Sequence, residues 1–202
     1  MNKKILAAFM IGMALAAGTP AVSAATVEPV GQRTFLYMDT NEIQLTESVR
    51  AVNRKDGSLA LIDKDGEQQL AMKNIDAEEG GVGFYVREVQ VAAEKSKRFW
   101  EISATVGAHD KNCGFWLISE ENGQWRFELT VEDLIAAGYT PSEWHKLISG
   151  NVDGRYVLTS FHEYMPEGAR FESERQPVVD WQVEILWSKE ARSFLIEPIY
   201  PQ

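Results

Sequence analysis

Short apolar and β-rich runs, separated by turn dipeptides, dominate the chain. Runs such as FWLISEE, QWRFEL and RYVLTSF are rich in strand-forming residues. The turn dipeptides are Asp56-Gly57, Asp65-Gly66, Asn122-Gly123 and Asp153-Gly154. Asn, Asp and Gly tolerate the positive φ angles of tight hairpins, so each pair indicates a reversal between antiparallel strands. The pattern predicts a mainly β (α+β) protein with about ten to twelve strands.

Two segments carry helix signals instead. In TVEDLIAAG, Thr130 is a helix N-cap and Gly138 a stop. In TPSEWHKLISG, Thr140, Glu143 and Gly150 provide a capping box and a stop. We therefore expect two short helices that pack on a sheet. Their packing residues would be Leu134, Ile135, Trp144, Leu147 and Ile148.

Segments in the second half of the chain also resemble segments in the first half. GQRTFLYMDTNEI is similar to GQWRFELTVEDL, DGSLALID to DGRYVLTS, and FYVREVQVA to DWQVEILWS. The matches keep the same order with a nearly constant offset, as expected for a repeat. We predict two similar small antiparallel β units, at 31–108 and 120–202, with both helices in the second. The segment 109–119 would be the connection between them.

The N-terminus has the three parts of a secretory signal peptide. A basic start is followed by apolar residues 5–17 and by small residues that lead to cleavage after Ala24 or Ala25. The apolar run is shorter than the ~20 residues of a membrane-spanning helix. We expect a signal peptide at 1–24 and a protein exported to the periplasm, the cell surface or the medium. It would have no membrane insertion after leader cleavage; a retained N-terminal anchor is the alternative.

Charge and cysteine content limit the classes of possible partner and the possible disulfide bonds. The chain has 30 acidic and 20 basic side chains, a net charge of −10 at pH 7. Binding to phosphate backbones depends on Lys and Arg that displace counterions, so nucleic acid is an unsuitable partner. The single cysteine, Cys113, either stays free or pairs between chains. Because no internal disulfide can form, the fold must be held together by its apolar core.

Motifs for catalysis or metal binding are incomplete. His109 and Cys113 form an H-x-x-x-C pair, but no further residue nearby completes a zinc site or a nucleophile with its base. DKDGEQQ lacks the remaining ligands of a calcium loop and indicates a hairpin turn. His145 and His162 are the two histidines that could act as bases with dispersed carboxylates. We predict no catalytic residues, no metal site and no cofactor.

Tryptophan is abundant, with six residues in the chain. A two-residue turn at Asn122-Gly123 would pair Trp125 with Glu120 and Trp116 with Leu129. The two indoles would then share one face of a hairpin, roughly 13 Å apart along the strands. Such a face suits an extended ligand, so Trp116 and Trp125 are the candidate binding residues. A tryptophan-rich core is the favoured alternative.

FLYMDTNEIQLTESVRAVNRKDG, followed by GVGFYVREVQVAAEKSKRFWEISATV, resembles the bacterial surface-adhesin E-like family over residues 33–108. The motifs that carry the resemblance are a D-T-x-x-I turn and a V-x-x-V strand. They fall on Asp39, Thr40, Ile43, Val49 and Val52. The family continues with a long hairpin that bears an acidic position, here Glu88. Its hairpin cysteines are replaced by Val91 and Trp187, so no disulfide carries over.

The resemblance implies a non-enzymatic envelope or surface protein that binds host or matrix proteins. The residues by themselves favour an exported binding protein with a protein or glycan partner. The alternative is an envelope hydrolase that uses carboxylates with His145 or His162. A histidine within hydrogen-bond reach of a carboxylate in a concave pocket would favour the enzyme. A flat aromatic patch on a sheet would favour binding.

Overall fold

A computed structural model gives the architecture. It describes residues 32–37, 41–73, 82–90, 97–106, 111–141 and 145–199. The strands in chain order are β1 (Thr34–Tyr37), β2 (Glu42–Gln44), β3 (Val49–Asn53), β4 (Ser58–Asp63), β5 (Gln68–Lys73), β6 (Val82–Val89), β7 (Phe99–Val106), β8 (Lys111–Glu121), β9 (Gln124–Thr130), β10 (His145–Val152), β11 (Arg155–Tyr164), β12 (Gln176–Ser188) and β13 (Ser193–Pro198). The described helices are α1 (Val131–Ala136) and a 3-10 helix (Glu172–Glu174).

The described strands form three antiparallel sheets. The central sheet has the order β1-β6-β7-β8-β9, the N-terminal sheet β2-β3-β4-β5, and the C-terminal sheet β10-β11-β12-β13. Both outer sheets are meanders in which neighbours in sequence are neighbours in space. The N-terminal sheet lies in the chain between β1 and β6, which pair with each other. The prediction of a mainly β fold is confirmed.

The turn dipeptides close hairpins as predicted. Asn122-Gly123 and Asp153-Gly154 are two-residue turns between paired strands. Both residues of each turn have positive φ, between 51° and 79°, which is the geometry of the tight turn that suits twisted strands. Gly57 and Gly66 also have positive φ, in the longer turns before and after β4.

The first predicted helix is confirmed as α1. Thr130 is its N-cap, Asp133 completes the capping box, and Gly138 follows with a φ of +92°. Leu134 is fully buried, but Ile135 is exposed. Only one of these two apolar residues therefore packs as expected. Among the described residues, we find no helix with the length and apolarity of a membrane span.

The prediction of a second helix is wrong. β10 begins at His145 and pairs with β11 over its whole length, from His145 opposite His162 to Val152 opposite Arg155. The turn at Asp153-Gly154 makes this pairing local. A full ladder of cross-strand hydrogen bonds therefore outweighs the capping signal at Thr140, since a short helix is marginal without packing. Trp144 lies outside the described residues.

Two apolar cores separate the three sheets. The first core lies between the N-terminal and central sheets, and β3 and β7 show how it forms. Alternate residues of a strand point to opposite faces, so Val49 and Ala51 of β3 meet Trp100 and Ile102 of β7. The other buried members are Leu36, Leu45, Leu59, Leu61, Met72, Phe84, Val86, Ala104, Val106, Trp116, Ile118 and Trp125.

The second core lies between the central and C-terminal sheets. Phe99 of β7 contacts Trp187 and Phe194, with ring centroids 5.2 and 5.1 Å apart. The other buried members are Val89, Phe115, Leu117, Leu129, Leu134, Leu147, Tyr156, Leu158, Val183 and Ile185. The central sheet is therefore covered on both faces, and all residues of β7 except Thr105 are buried.

The predicted duplication is not confirmed. The Asp56-Gly57 hairpin belongs to the N-terminal sheet, whereas FYVREV, the first six residues of the other matched segment, lies in β6 of the central sheet. Their counterparts in the second half, β11 and β12, pair directly in one sheet. The central sheet also takes strands from both predicted units. β8 begins at Lys111, so most of the segment 109–119 is a strand, while His109 lies outside the described residues.

Candidate binding surface

An exposed group of aromatic side chains lies at one edge of the central sheet. On β1, Phe35 and Tyr37 are 42% and 46% exposed, whereas Leu36 between them is 2% exposed and belongs to the first core. β1 therefore turns one apolar residue inward and two aromatic residues outward. Tyr85 of β6 pairs with Phe35 and adds a third ring. We call Phe35, Tyr37 and Tyr85 the aromatic surface.

The three rings form one continuous layer. The centroid of the Phe35 ring lies 4.6 Å from that of Tyr85 and 5.8 Å from that of Tyr37, and the planes of Phe35 and Tyr37 differ by 20°. Gly83 makes room for this layer, because a Cβ atom there would lie 2.4 Å from Cζ of Phe35. The Phe35 ring thus occupies the space that a side chain at residue 83 would need.

The main chain of β1 already has side-chain partners at two positions. Nδ2 of Asn53 donates a hydrogen bond of 3.2 Å to the Leu36 carbonyl, and Nδ2 of Asn41 donates one of 2.8 Å to the Tyr37 carbonyl. Unpaired groups on an edge strand invite a further strand. Because these two carbonyls are used within the protein, the aromatic rings are the main feature that a partner meets at β1.

Beside the aromatic surface lies a buried ionic network centred on Glu101. Arg87 of β6 faces Glu101 of β7, and the two residues are 3% and 1% exposed. Nε and Nη2 of Arg87 donate to Oε2 of Glu101 at 3.1 and 2.8 Å. Nη2 of Arg33 donates to Oε1 at 3.0 Å. The guanidinium carbon of Arg33 also lies 5.5 Å from the centroid of the Tyr85 ring, so Arg33 links the network to the aromatic surface.

The C-terminal sheet completes the network from the other side. The hydroxyl of Tyr156 on β11 donates to Oε2 of Glu101 at 2.6 Å, and the hydroxyl of Ser149 on β10 donates to the same oxygen. Nη2 of Arg87 donates to the Ser149 carbonyl at 3.0 Å. These bonds cross the second core, so they fix how the C-terminal sheet sits on the central sheet.

The network sets the ionisation of its two acidic groups. Burial by itself raises the pKa of Glu101, but the charges of Arg87 and Arg33 and the hydroxyls of Ser149 and Tyr156 outweigh it, so the pKa lies below its ordinary value of 4.5. For Tyr156, burial and the adjacent charge of Glu101 act together and raise the pKa well above 10.0. The structure therefore favours a charged carboxylate and a neutral phenol.

The two candidate tryptophans lie in the first core. Trp116 and Trp125 are 8% and 7% exposed. Trp125 pairs with Glu120 as predicted, but Trp116 pairs with Thr130 rather than Leu129, because a register shift interrupts the β8–β9 ladder. This burial agrees with the tryptophan-rich core that was the favoured alternative. A binding role for these two residues stays a prediction.

A histidine–carboxylate pair lies on the C-terminal sheet. Nδ1 of His162 is 2.7 Å from Oδ1 of Asp180, and the side chains are 35% and 19% exposed. Ser160 pairs with Trp181 and Phe161 with Val179, so Asp180 is skipped in the ladder. Bulges of this kind redirect side chains, which here brings Asp180 to His162.

Two further residues singled out from the sequence, His145 and Cys113, are described only by their main chain. β10 places the main chain of His145 opposite that of His162, but the side chain of His145 lies outside the described part of the structure. The same is true of the side chain of Cys113 at the start of β8. No arrangement of side chains can be assigned to either residue.

Sequence reasoning missed the aromatic surface and the ionic network. In TFLY all the central residues are apolar, so alternation defines two faces without saying which one meets solvent. Glu101 carried a clearer signal, because a carboxylate within the apolar run FWEISATV requires buried partners. The identity of those partners was not readable, since Ser149 and Tyr156 come from a different sheet.

Comparison with models of known protein families, with curated proteins and with solved structures found no match.

Replacing Glu101 with Gln should destabilise the protein strongly. The change removes the negative charge that compensates Arg87 in the interior, and breaking a buried pair costs about 3–5 kcal/mol. The free energy of unfolding, measured by urea titration, should fall by that amount. Glu88→Gln is the matched control on the neighbouring strand, because its pair with Arg98 is half exposed and should contribute about 1 kcal/mol or less. Similar losses for the two variants would contradict the role assigned to Glu101.

The network also predicts how stability depends on pH. Because the pKa of Glu101 is lower in the folded state, the unfolded chain binds more protons as the pH falls below about 4.5, and stability is lost there. For Tyr156 the folded pKa is higher, so stability is lost as the pH rises above about 10. Tyr156→Phe should reduce the alkaline loss and weaken the acid loss. Urea titrations across the pH range would test both, and an unchanged alkaline loss in the variant would refute the assignment.

Proposed function

We propose that the protein is an exported, non-catalytic binding protein of the bacterial envelope, with a role similar to that of the surface-adhesin E-like family. Its partner would be a protein that docks on the aromatic surface. The observation that carries the proposal is that Phe35 and Tyr37 are exposed although the Phe35 ring packs on Tyr37, on Tyr85 and over Gly83. Exposed apolar groups that form a patch are typical of interaction sites.

The chemistry of the patch favours a protein partner over a glycan. Tyr, Phe and Arg are enriched at the centres of protein interfaces, where a few such residues dominate the binding energy. Rings that already contact one another lose little conformational freedom on binding. Arg33 adds a cation beside Tyr85, and two guanidiniums share the single carboxylate of Glu101. The network thus carries one excess positive charge next to the rings, which favours a partner with an acidic group at that point.

One observation favours the alternative of an envelope hydrolase. His162 and Asp180 have the short contact through Nδ1 that orients a histidine as a general base. The nearest serine along β11 on the same side, Ser160, is completely buried, so substrate could not reach it as a nucleophile. A hydrolase built on this pair would therefore have to activate water.

Removing the aromatic surface should weaken partner binding without unfolding the protein. We expect the mature protein to bind at least one member of a panel of extracellular-matrix proteins immobilised for surface plasmon resonance. The double variant Phe35→Ser/Tyr37→Ser should bind it at least about thirtyfold more weakly, because truncating a hot-spot residue costs about 2 kcal/mol or more. Gly83→Val, which displaces the Phe35 ring, should weaken binding in the same direction.

The matched control removes two apolar side chains of similar fractional exposure at a different place on the surface. Phe127 and Leu195 are 40% and 45% exposed, so Phe127→Ser/Leu195→Thr should leave binding unchanged. A parallel glycan array distinguishes the partner class. Binding that is confined to glycans, or that survives the loss of Phe35 and Tyr37, would contradict the proposal.

The hydrolase alternative predicts turnover that depends on His162. We expect the mature protein to release no product above the buffer blank from chromogenic esters, peptides or peptidoglycan fragments. His162→Asn should leave the binding of the partner unchanged. Product release that disappears in His162→Asn would instead establish the enzyme.

A further inference from the structure

The outer part of the β11–β12 hairpin carries a group of exposed apolar side chains. We call residues 161–180 the arm. None of them is buried. The arm carries five of the large apolar side chains that are exposed in the described residues, namely Tyr164, Met165, Phe171, Val178 and Val179. Phe171 is the most exposed of them, at 66%.

The arm extends beyond its neighbouring strands. The β10–β11 ladder ends with His145 opposite His162, and the β12–β13 ladder ends with Pro198 opposite Val183. Past these points, Glu163 and Tyr164 of β11 pair with Pro177 and Gln176 of β12, and the N–H of Ile199 donates to the Gln182 carbonyl. A two-stranded ribbon is marginally stable in water by itself. An arm of this kind gains stability when something covers it.

Apolar side chains occur on both faces of the arm. Val179 pairs with Phe161, and the next residue, Val178, pairs with His162. Neighbouring residues of a strand point to opposite faces, so the two valines are exposed on different sides. A single covering layer would hide only one of them. A partner that grips the ribbon, or meets its tip, would cover both.

The tip of the arm is organised by its own hydrogen bonds. The main-chain N–H groups of Arg170 and Phe171 donate to Oε2 of Glu174 at 2.6 and 3.2 Å. The N–H of Ala169 donates to the Pro166 carbonyl at 3.1 Å. These bonds fix the main chain at Phe171 before any partner arrives. Binding therefore requires little ordering of the tip, which favours affinity.

The charges on the arm identify the kind of partner. Its acidic residues are Glu163, Glu167, Glu172, Glu174 and Asp180, and its basic residues are Arg170 and Arg175. The apolar groups are thus surrounded by excess negative charge. Because complementary charge selects partners, we propose that the arm docks a second protein, one that presents an apolar surface rimmed by Lys and Arg. A second copy of this chain fits poorly, since two acidic arms on chains of net charge −10 would repel each other.

The test uses a peptide of the proposed chemistry. The probe is a fluorescent amphipathic helix of Leu and Lys, and its counterpart has Glu in place of every Lys. The mature protein should bind the Lys peptide and not the Glu peptide, with affinity that falls as salt is added. The arm variant Phe171→Ser/Val178→Thr/Val179→Thr should bind the Lys peptide at least about tenfold more weakly. Glu167→Gln/Glu172→Gln should reduce the salt dependence.

Two controls separate the arm from other surfaces. Phe127→Ser/Leu195→Thr has a similar loss of exposed apolar groups, and Phe35→Ser/Tyr37→Ser removes the aromatic surface; neither should change binding of the Lys peptide. The proposal would be overturned if Phe127→Ser/Leu195→Thr also weakened binding, or if the arm variant bound the Lys peptide as tightly as the unaltered protein does. Either result would show only a general attraction of the peptide to an acidic protein. Sedimentation velocity gives the other decisive result: a dimer that the arm variant converts to monomer would mean that a second copy covers the arm.

Discussion

A single carboxylate in the interior, that of Glu101, determines how two of the three layers fit together. Burying a charge is costly unless partners compensate it. Here the compensation comes from Arg87 and Arg33 beside it and from Ser149 and Tyr156 on the facing sheet. Apolar attraction is non-directional, whereas hydrogen bonds to a carboxylate have defined directions and distances. The bonds from Ser149 and Tyr156 to Glu101 therefore favour one arrangement of the two sheets.

The same network marks the boundary up to which the C-terminal sheet covers the central sheet. The edge strand β10 reaches Arg87 through Ser149, and Tyr85, two residues before Arg87 on β6, is only partly buried. Phe35 and Tyr37, one strand further out, are exposed. The aromatic surface is thus an uncovered margin of the central sheet. Arg33 spans this boundary, since it donates to Glu101 and lies over Tyr85.

Both proposed docking surfaces occur where the layers end. The aromatic surface lies at the first strand of the central sheet. The arm lies at the outer end of the β11–β12 hairpin. Lys97 connects the central and C-terminal sheets at a second point, because its Nζ lies 2.6 Å from Oε1 of Glu128 and 4.0 Å from the centroid of the Trp187 ring.

The sequence by itself determined the local features: the hairpin turns at Asn122-Gly123 and Asp153-Gly154, the cap of α1 at Thr130 and the pairing of Trp125 with Glu120. Each depends on the conformations open to a few adjacent residues. Tertiary structure decided the rest. It made a strand of HKLISGNV, shifted the partner of Trp116 by one position at a bulge, and brought strands from both halves of the chain into one central sheet. It also decided which of Phe35, Leu36 and Tyr37 meet solvent, because alternation along a strand creates two faces and only the neighbouring layer selects the buried one.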